Sequence, residues 1–323
     1  MSTVVCIHKV PQVDLHVNHK SIMKNRNKIL YLCLSVLATQ FFISCNQDTI
    51  DEINTAIPYE PIGGYENSDD IAADNLIVKC SFEENITDSK SGISDGNGTN
   101  VTYENGVKGK AYKGSSSAFI GYNTVSPALA NVKSITVSAW IKTDPHTGGA
   151  QCLFMLPKTS DFWGNIFTLI EGTGPADTML IKNHLQKDVT PSIPWSGQWL
   201  VHDGSNVLTN MFGNWKHLVW TYDAATSTYS MYVNGQNLNL PNSIAKRYTN
   251  DPAAGGVPYG DLANSDVSKF VIGGFQQHLG APWGAADGWM LHYSGLLDEF
   301  RIYDKALSDT DVRSLYLLES DNR

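Results

Sequence analysis

The chain has 323 residues, 17% of them charged and 42% hydrophobic, with a formal net charge of −9. Residues 1–44 hold five of the 23 Lys and Arg but only one of the 32 Asp and Glu, so the remainder is more acidic than the whole. No basic run follows beyond Lys246-Arg247, which makes nucleic acid and anionic lipid surfaces poor partners.

In chain order, Met1 to Ile22 come first, as an extension or a misassigned start. Met23 to Lys28 is basic, Ile29 to Ile43 is apolar, and Ser44-Cys45 closes the run. A basic flank, a short apolar core and a small residue before the cut are the features of a secretory signal. The apolar run is too short to span a bilayer comfortably. Phe42-Ile43-Ser44-Cys45 resembles a bacterial lipobox, which implies a lipid on Cys45; ordinary secretion with Cys45 removed is the alternative. Residues 45–73 are acidic and rich in turn formers, including Asp69-Asp70 and Gly63-Gly64. They are expected to form a flexible tether. Acidic residues soon after such a cysteine resemble the export signals of Bacteroides-type surface lipoproteins, which implies a lipid-anchored protein of the outer membrane, displayed on the cell surface.

From 74 to about 320 the pattern is one of short strands broken by Gly, Asn, Asp and Pro, as expected of one large all-β domain. Ile135, Val137, Ala139 and Ile141 alternate with Thr136, Ser138, Trp140 and Lys142. Leu218, Trp220 and Tyr222 alternate in the same way, and Tyr229 to Val233 runs into Asn234-Gly235, a strong hairpin signal. At the C-terminus a strand ending at Tyr303 precedes a short helix capped by Ser308, with Asp311 at the capping-box position. Strict alternation places Asp298 with Leu296, Phe300 and Ile302, facing the core, where a carboxylate needs a cation or several hydrogen bonds. Cys80 and Cys152 both lie in strand-like runs; export permits a disulfide, and two separate buried thiols fit equally well.

Six blocks then match one pattern in order. They are Leu76–Gly92 with its Asp-Ser-Lys-Ser-Gly turn, Gly106-Val-Lys-Gly-Lys-Ala-Tyr112, Ser134–Lys142, the pair Gly213–Asp223 and Met231-Tyr-Val-Asn-Gly235, Phe270-Val-Ile-Gly-Gly274, and the closing run Tyr293–Tyr316. Together they resemble laminin-G-like, concanavalin A-like jelly-roll domains. The resemblance implies two antiparallel sheets with one concave face, and it leaves function open, because the fold hosts lectins, adhesion modules, glycosidases and lyases. It also places the first and last strands together, which makes Glu83 or Glu84 the acidic partner of Asp298 in a structural calcium site.

Residues 157–165, 183–211, 241–268 and 276–290 are longer than the minimal module needs, and such loops are where specificity is expected. They carry Trp163, Trp195, Trp199, Trp283 and Trp289, while Trp140, Trp215 and Trp220 occupy frame positions. Aromatic platforms with polar neighbours suit a sugar ring, which has an apolar face and a hydroxyl edge. The polar neighbours include Asp161, Asn165, His184, Gln198, His202, Asp203, Gln276, Gln277, His278 and Asp287; the plainer reading is that the tryptophans pin long loops to the sandwich. No Glu-x-Asp-x-x-Glu run, nucleophile elbow, zinc motif or phosphate loop occurs. The expectation is a lipid-anchored surface protein that binds a polysaccharide or host glycan, accessory to polysaccharide capture. A glycoside hydrolase or lyase of the same fold and a protein-binding adhesion module are the alternatives.

Overall fold

The computed structural model describes residues 59–172, 177–188, 190 and 196–323. Cys45, the leader, the first part of the expected tether and Trp195 lie outside the described residues. The first strands are β1 (Leu76–Cys80), β2 (Gly96–Thr99), β3 (Thr102–Asn105), β4 (Lys110–Lys113) and β5 (Phe119–Tyr122). The longer β6 (Ile135–Lys142), β7 (Ala150–Leu156), β8 (Ile166–Glu171), β9 (Thr178–Leu185) and β10 (Gln198–His202) follow. After β11 (Leu208–Thr209) come β12 (Lys216–Asp223), β13 (Thr228–Val233), β14 (Gln236–Asn237), β15 (Phe270–Ile272), β16 (Met290–His292) and β17 (Leu296–Tyr303).

These strands form a two-sheet, concanavalin A-like sandwich. One sheet runs β14-β13-β12-β6-β17-β4-β3, with β1 also on β17; the other runs β10-β9-β8-β7-β15-β5-β2, with β11 on β9 and β16 on β7. Pairing is antiparallel except for β16 on β7. The alternation read from sequence explains β6 and β12: Ile135, Val137, Ala139 and Ile141 pack with Leu218, Trp220 and Tyr222 in the central core. Each of the Ile, Val and Leu side chains contributes about 1.5–3 kcal/mol on full burial. Polar atoms inside that core are answered across the layers. Trp220 Nε1 donates to Thr168 Oγ1 at 3.1 Å, and Asn183 Nδ2 donates to the Tyr229 hydroxyl at 2.8 Å. The hairpin forms as read, with Asn234 and Gly235 at φ of 50° and 70° between paired Val233 and Gln236. The C-terminal helix Asp309–Ser320 opens at Ser308 with the Asp311 capping box.

Two expectations change, and one open choice is decided. Residues 59–73 join the domain instead of tethering it: Ile71 is fully buried, and Ser68 and Asp69 bond Arg301. In β17 a bulge between Asp298 and Arg301, with Glu299 at φ 44°, breaks the two-residue period. Leu297, not Leu296, therefore shares the core with Phe300 and Ile302. Of the two options for the cysteines, the structure has separate buried thiols, Cys80 near the Tyr122 hydroxyl at 3.5 Å and Cys152 on the other sheet.

Candidate functional site

The second sheet has one face in the central core and one face outward. Alternation sends Ile166 and Ile170 of β8, Met179, Ile181 and Leu185 of β9, and Leu200 of β10 inward. Phe167, Leu169, Cys152, Met155 and Val271 are left on the outer face as a separate apolar cluster, against which Trp163, Trp199 and Trp289 pack half-buried. Trp163 stacks on Phe167 at 6.2 Å and meets Trp199 edge-on at 5.1 Å and Trp289 at 5.7 Å. His184, on the same face, stacks on Phe167 at 4.6 Å, and burial pushes its imidazole down to about 3, so it is neutral near pH 7.

Loops 157–165 and 276–290 lie over this face and enclose a cleft of about 350 Å³. Its walls are Thr159 to Phe162 on one side and Gln277 with Pro282 to Ala285 on the other. Two glutamines set the wall. Gln276 accepts from the Lys158 amide at 2.8 Å and donates to the carbonyls of Asp161 and Phe162 at 2.8 and 2.9 Å. Gln277 Nε2 donates to the Phe162 carbonyl at 2.9 Å, which leaves its Oε1 buried with no hydrogen-bond partner; the residue is 6% exposed. With its backbone so fixed, Phe162 stands out with its side chain 50% exposed. Asp161 accepts from the Trp163 amide and from Gln186 Nε2 at 2.9 and 3.1 Å. Burial raises Asp161, but those two bonds and the charge of Lys158 outweigh it and hold the carboxyl below its usual range.

The residues singled out from sequence divide among three roles. Trp163, Trp199 and Trp289 come together, largely as the pins of their loops. Trp283 is 8% exposed and donates to the Lys158 carbonyl at 2.9 Å, so it ties the two loops together while lining the cleft beside Gln277. His278 is not presented to the cleft. Its Nδ1 accepts from the Phe275 amide at 3.0 Å, its ring stacks on His292 at 3.8 Å, and burial with that neighbour lowers it to about 4. Asp287 is exposed on the loop before Trp289. Phe162 was missed because weight fell on tryptophan alone; an aromatic between Asp161 and Trp163 in an inserted loop was the available signal.

The acidic trio does not assemble. Asp298 accepts from the amides of Val107, Lys108 and Glu299 at 2.8, 3.0 and 2.8 Å. Burial pushes its carboxyl up to about 7, against the lowering effect of those amides. Glu83 accepts from the Lys110 amide at the far end of the same turn, and Glu84 is exposed at φ 54°. Gly106 and Gly109 allow this close grip, since a Cβ at either would collide with the Asp298 or Glu83 carboxylate. Among the described residues no three His, Cys, Asp or Glu side chains gather as a metal set.

Residues 116–261 match the Laminin_G_3 family model, described as the concanavalin A-like lectin/glucanases superfamily. No curated protein matches the chain. Among solved structures, the chain is similar to domain 4 of AbnA, an extracellular arabinanase from Geobacillus stearothermophilus solved in complex with arabinotriose. The identity is 19% over 75% of this chain and 98% of that one, with a TM-score of 0.48. It is similar to the botulinum neurotoxin type G receptor binding domain at 11% identity, over 76% of this chain and 51% of that one, with a TM-score of 0.47. A heptameric SAP-like pentraxin from Limulus polyphemus matches at 15%, over 57% and 70%, with a TM-score of 0.38. The sandwich is concanavalin A-like, and over residues 116–261 it carries the laminin-G-like pattern.

Proposed function

We propose that this domain captures a glycan at the cleft between loops 157–165 and 276–290, as the binding part of a lipid-anchored surface protein. The observation that carries the reading is the buried, unpartnered Oε1 of Gln277 in the wall of a cleft that Phe162 borders. An acceptor left so costs about 1–3 kcal/mol, which a ligand hydroxyl would relieve. The Phe162 ring supplies an apolar surface for the C–H face of the same sugar. Volume favours a short stretch of chain, since the cleft is near the small end of ligand sites. Binding is favoured over hydrolysis because Asp161 is the one carboxylate among the lining residues and both its oxygens are engaged, whereas glycoside cleavage uses a pair. Calcium is no part of this reading. The partner is a polysaccharide or host glycan, and the membrane is met only through a lipid on Cys45.

Isothermal titration of the protein against a polysaccharide panel tests this. Heat with at least one glycan, weakened about tenfold in Phe162→Ala, is expected. No heat with any glycan overturns the reading, and heat untouched by Phe162→Ala moves the site elsewhere. The anchor is tested separately by incorporation of labelled palmitate, expected in the wild type and lost in Cys45→Ser.

A further inference from the structure

Loop 241–268 holds the adjacent cations Lys246 and Arg247, and the cleft at Gln277 uses neither. The backbone is pinned at these residues. Lys246 bridges Thr228 at the start of β13, the Arg247 amide donates to the Ser227 carbonyl at 2.9 Å, and the Arg247 carbonyl accepts from the Tyr259 amide at 3.1 Å. Both side chains line a second cleft, of about 380 Å³, with Gln198 at the start of β10, Ser243, Tyr248 and Asn250. Neutral acceptors hold the two cations. Arg247 Nε donates to Gln198 Oε1 at 3.1 Å and Nη1 to the Ile244 carbonyl at 2.9 Å, while Lys246 Nζ donates to Thr228 Oγ1 at 2.7 Å. Gln198 is itself 3% exposed and donates to the Tyr248 carbonyl at 3.2 Å, so the guanidinium is set in place before any ligand arrives.

Arg301, by contrast, meets three carboxylates. Among the described residues neither Lys246 nor Arg247 forms an ion pair, and Arg247 Nη2 makes no hydrogen bond. The one carboxylate in the lining, Asp251, turns its Oδ1 to the Ala253 amide at 2.8 Å. Two cations thus stand against one carboxylate in a chain that is acidic overall, where only local charge draws an anion. We propose that this cleft is a second site, which takes the carboxylate or sulfate group of an acidic sugar on Lys246 Nζ and the open edge of the Arg247 guanidinium. Charge-assisted bonds of this kind are about twice as strong as neutral ones, and the guanidinium fork can hold two oxygens at once. Tyr248 offers an aromatic surface for the body of the sugar, and the exposed Ser243 and Asn250 offer hydrogen bonds for its hydroxyls. The site does not depend on the cleft beside Phe162.

The test is titration of the full chain with galacturonate oligomers and their methyl esters, and with sulfated galactose oligomers and their desulfated forms; oligo-aspartate is the peptide control. The acidic member of at least one pair is expected to bind about tenfold or more tighter than its neutral twin, with the gap closing as salt is raised. Lys246→Gln and Arg247→Gln should each remove most of that gap, and should Arg247→Gln fail to fold, Lys246→Gln decides. A gap lost in Lys246→Gln but kept in Phe162→Ala supports the second site whatever becomes of the first cleft. Equal binding within every pair, or a gap that Lys246→Gln keeps, overturns the second site and leaves the first cleft standing. Oligo-aspartate that binds as tightly as the acidic sugars overturns the sugar assignment.

Discussion

The two sheets have opposite kinds of outer face. On the first sheet the C-terminal helix covers a charged layer in which Arg301 donates to Glu319 at 2.8 Å and to Asp69 and Glu299 at 2.6 Å each. Glu319 also accepts from Trp140 Nε1 at 2.7 Å. The second sheet is covered by aromatic loops, and there the amide oxygen of Gln277 is left over. Unpartnered atoms exist on both faces, since Tyr303 Oη and His217 Nδ1 also lack partners, but those two residues are 0% exposed beneath the helix. Gln277 borders open space. An unmet polar atom points to a ligand only where there is room in front of it, and that condition separates the two faces.

The largest expected effect comes from breaking the closed face. Arg301→Met leaves Glu299 and Glu319 buried without their cation, at a cost of about 3–5 kcal/mol. Urea unfolding checks this. Glycan binding by the protein that remains folded is expected to be unchanged, and a loss of less than about 1 kcal/mol would show the charged layer to be no more than a surface pair.

Acid should distinguish the faces next. His184 and His217 are both pushed down to about 3 by burial. The unfolded chain therefore binds protons that the folded one refuses, and stability falls as pH drops below the unfolded value near 6.5. On the first face Glu319 works the other way. Its carboxyl is raised by burial, more than Arg301 and Trp140 lower it, so the folded state holds its proton and gains stability as pH falls from about 7. On the second face Asp161 is lowered, so it too loses stability in acid. Nothing there offsets His184, whose share between pH 6.5 and pH 5 is about 2 kcal/mol. Hydrogen exchange at pH 5 and pH 7, corrected for intrinsic rates, should show β8, β9 and loop 157–165 loosening first. Loosening that begins at the C-terminal helix would reverse this reading of the two faces.

A smaller effect on stability, with a clear effect on binding, is expected for Phe162→Ala. The ring is half-exposed, so the melting temperature should shift by no more than about a degree, as for a surface change of some 0.5 kcal/mol. Binding should weaken about tenfold. A large drop in melting temperature would make Phe162 another loop pin, like Trp283.

These residues also show what was legible in the sequence. Alternation located β6 and β12 and their inward sets, Asn234-Gly235 located the hairpin, and Ser308 with Asp311 located the helix start, because each depends on local periods or turn chemistry. The bulge at Asp298 was not legible: a period-two reading has no signal for an extra residue, and one such residue exchanged Leu296 for Leu297. The aromatic loops were found by composition, but exposure of Phe162 and burial of Trp283 depend on which side chain the Gln276 and Gln277 bonds leave outside. Those bonds join residues more than 100 positions apart. The role of Arg301 was not legible either: two of its three carboxylates, Asp69 and Glu319, come from opposite ends of the domain.

The smallest expected effect is that of a chelator. Calcium takes six to eight oxygens at about 2.3–2.6 Å, whereas the oxygens of Asp298 already face three amide hydrogens and those of Glu83 face the Lys110 amide. A cation there would have to displace amides from a turn that Gly106 and Gly109 allow to sit directly on both carboxylates. Adding EDTA is therefore expected to leave the melting temperature in place. A drop of several degrees, restored by calcium, would mean that the turn opens to admit the ion and that Asp298 and Glu83 act together, the arrangement the sequence alone suggested.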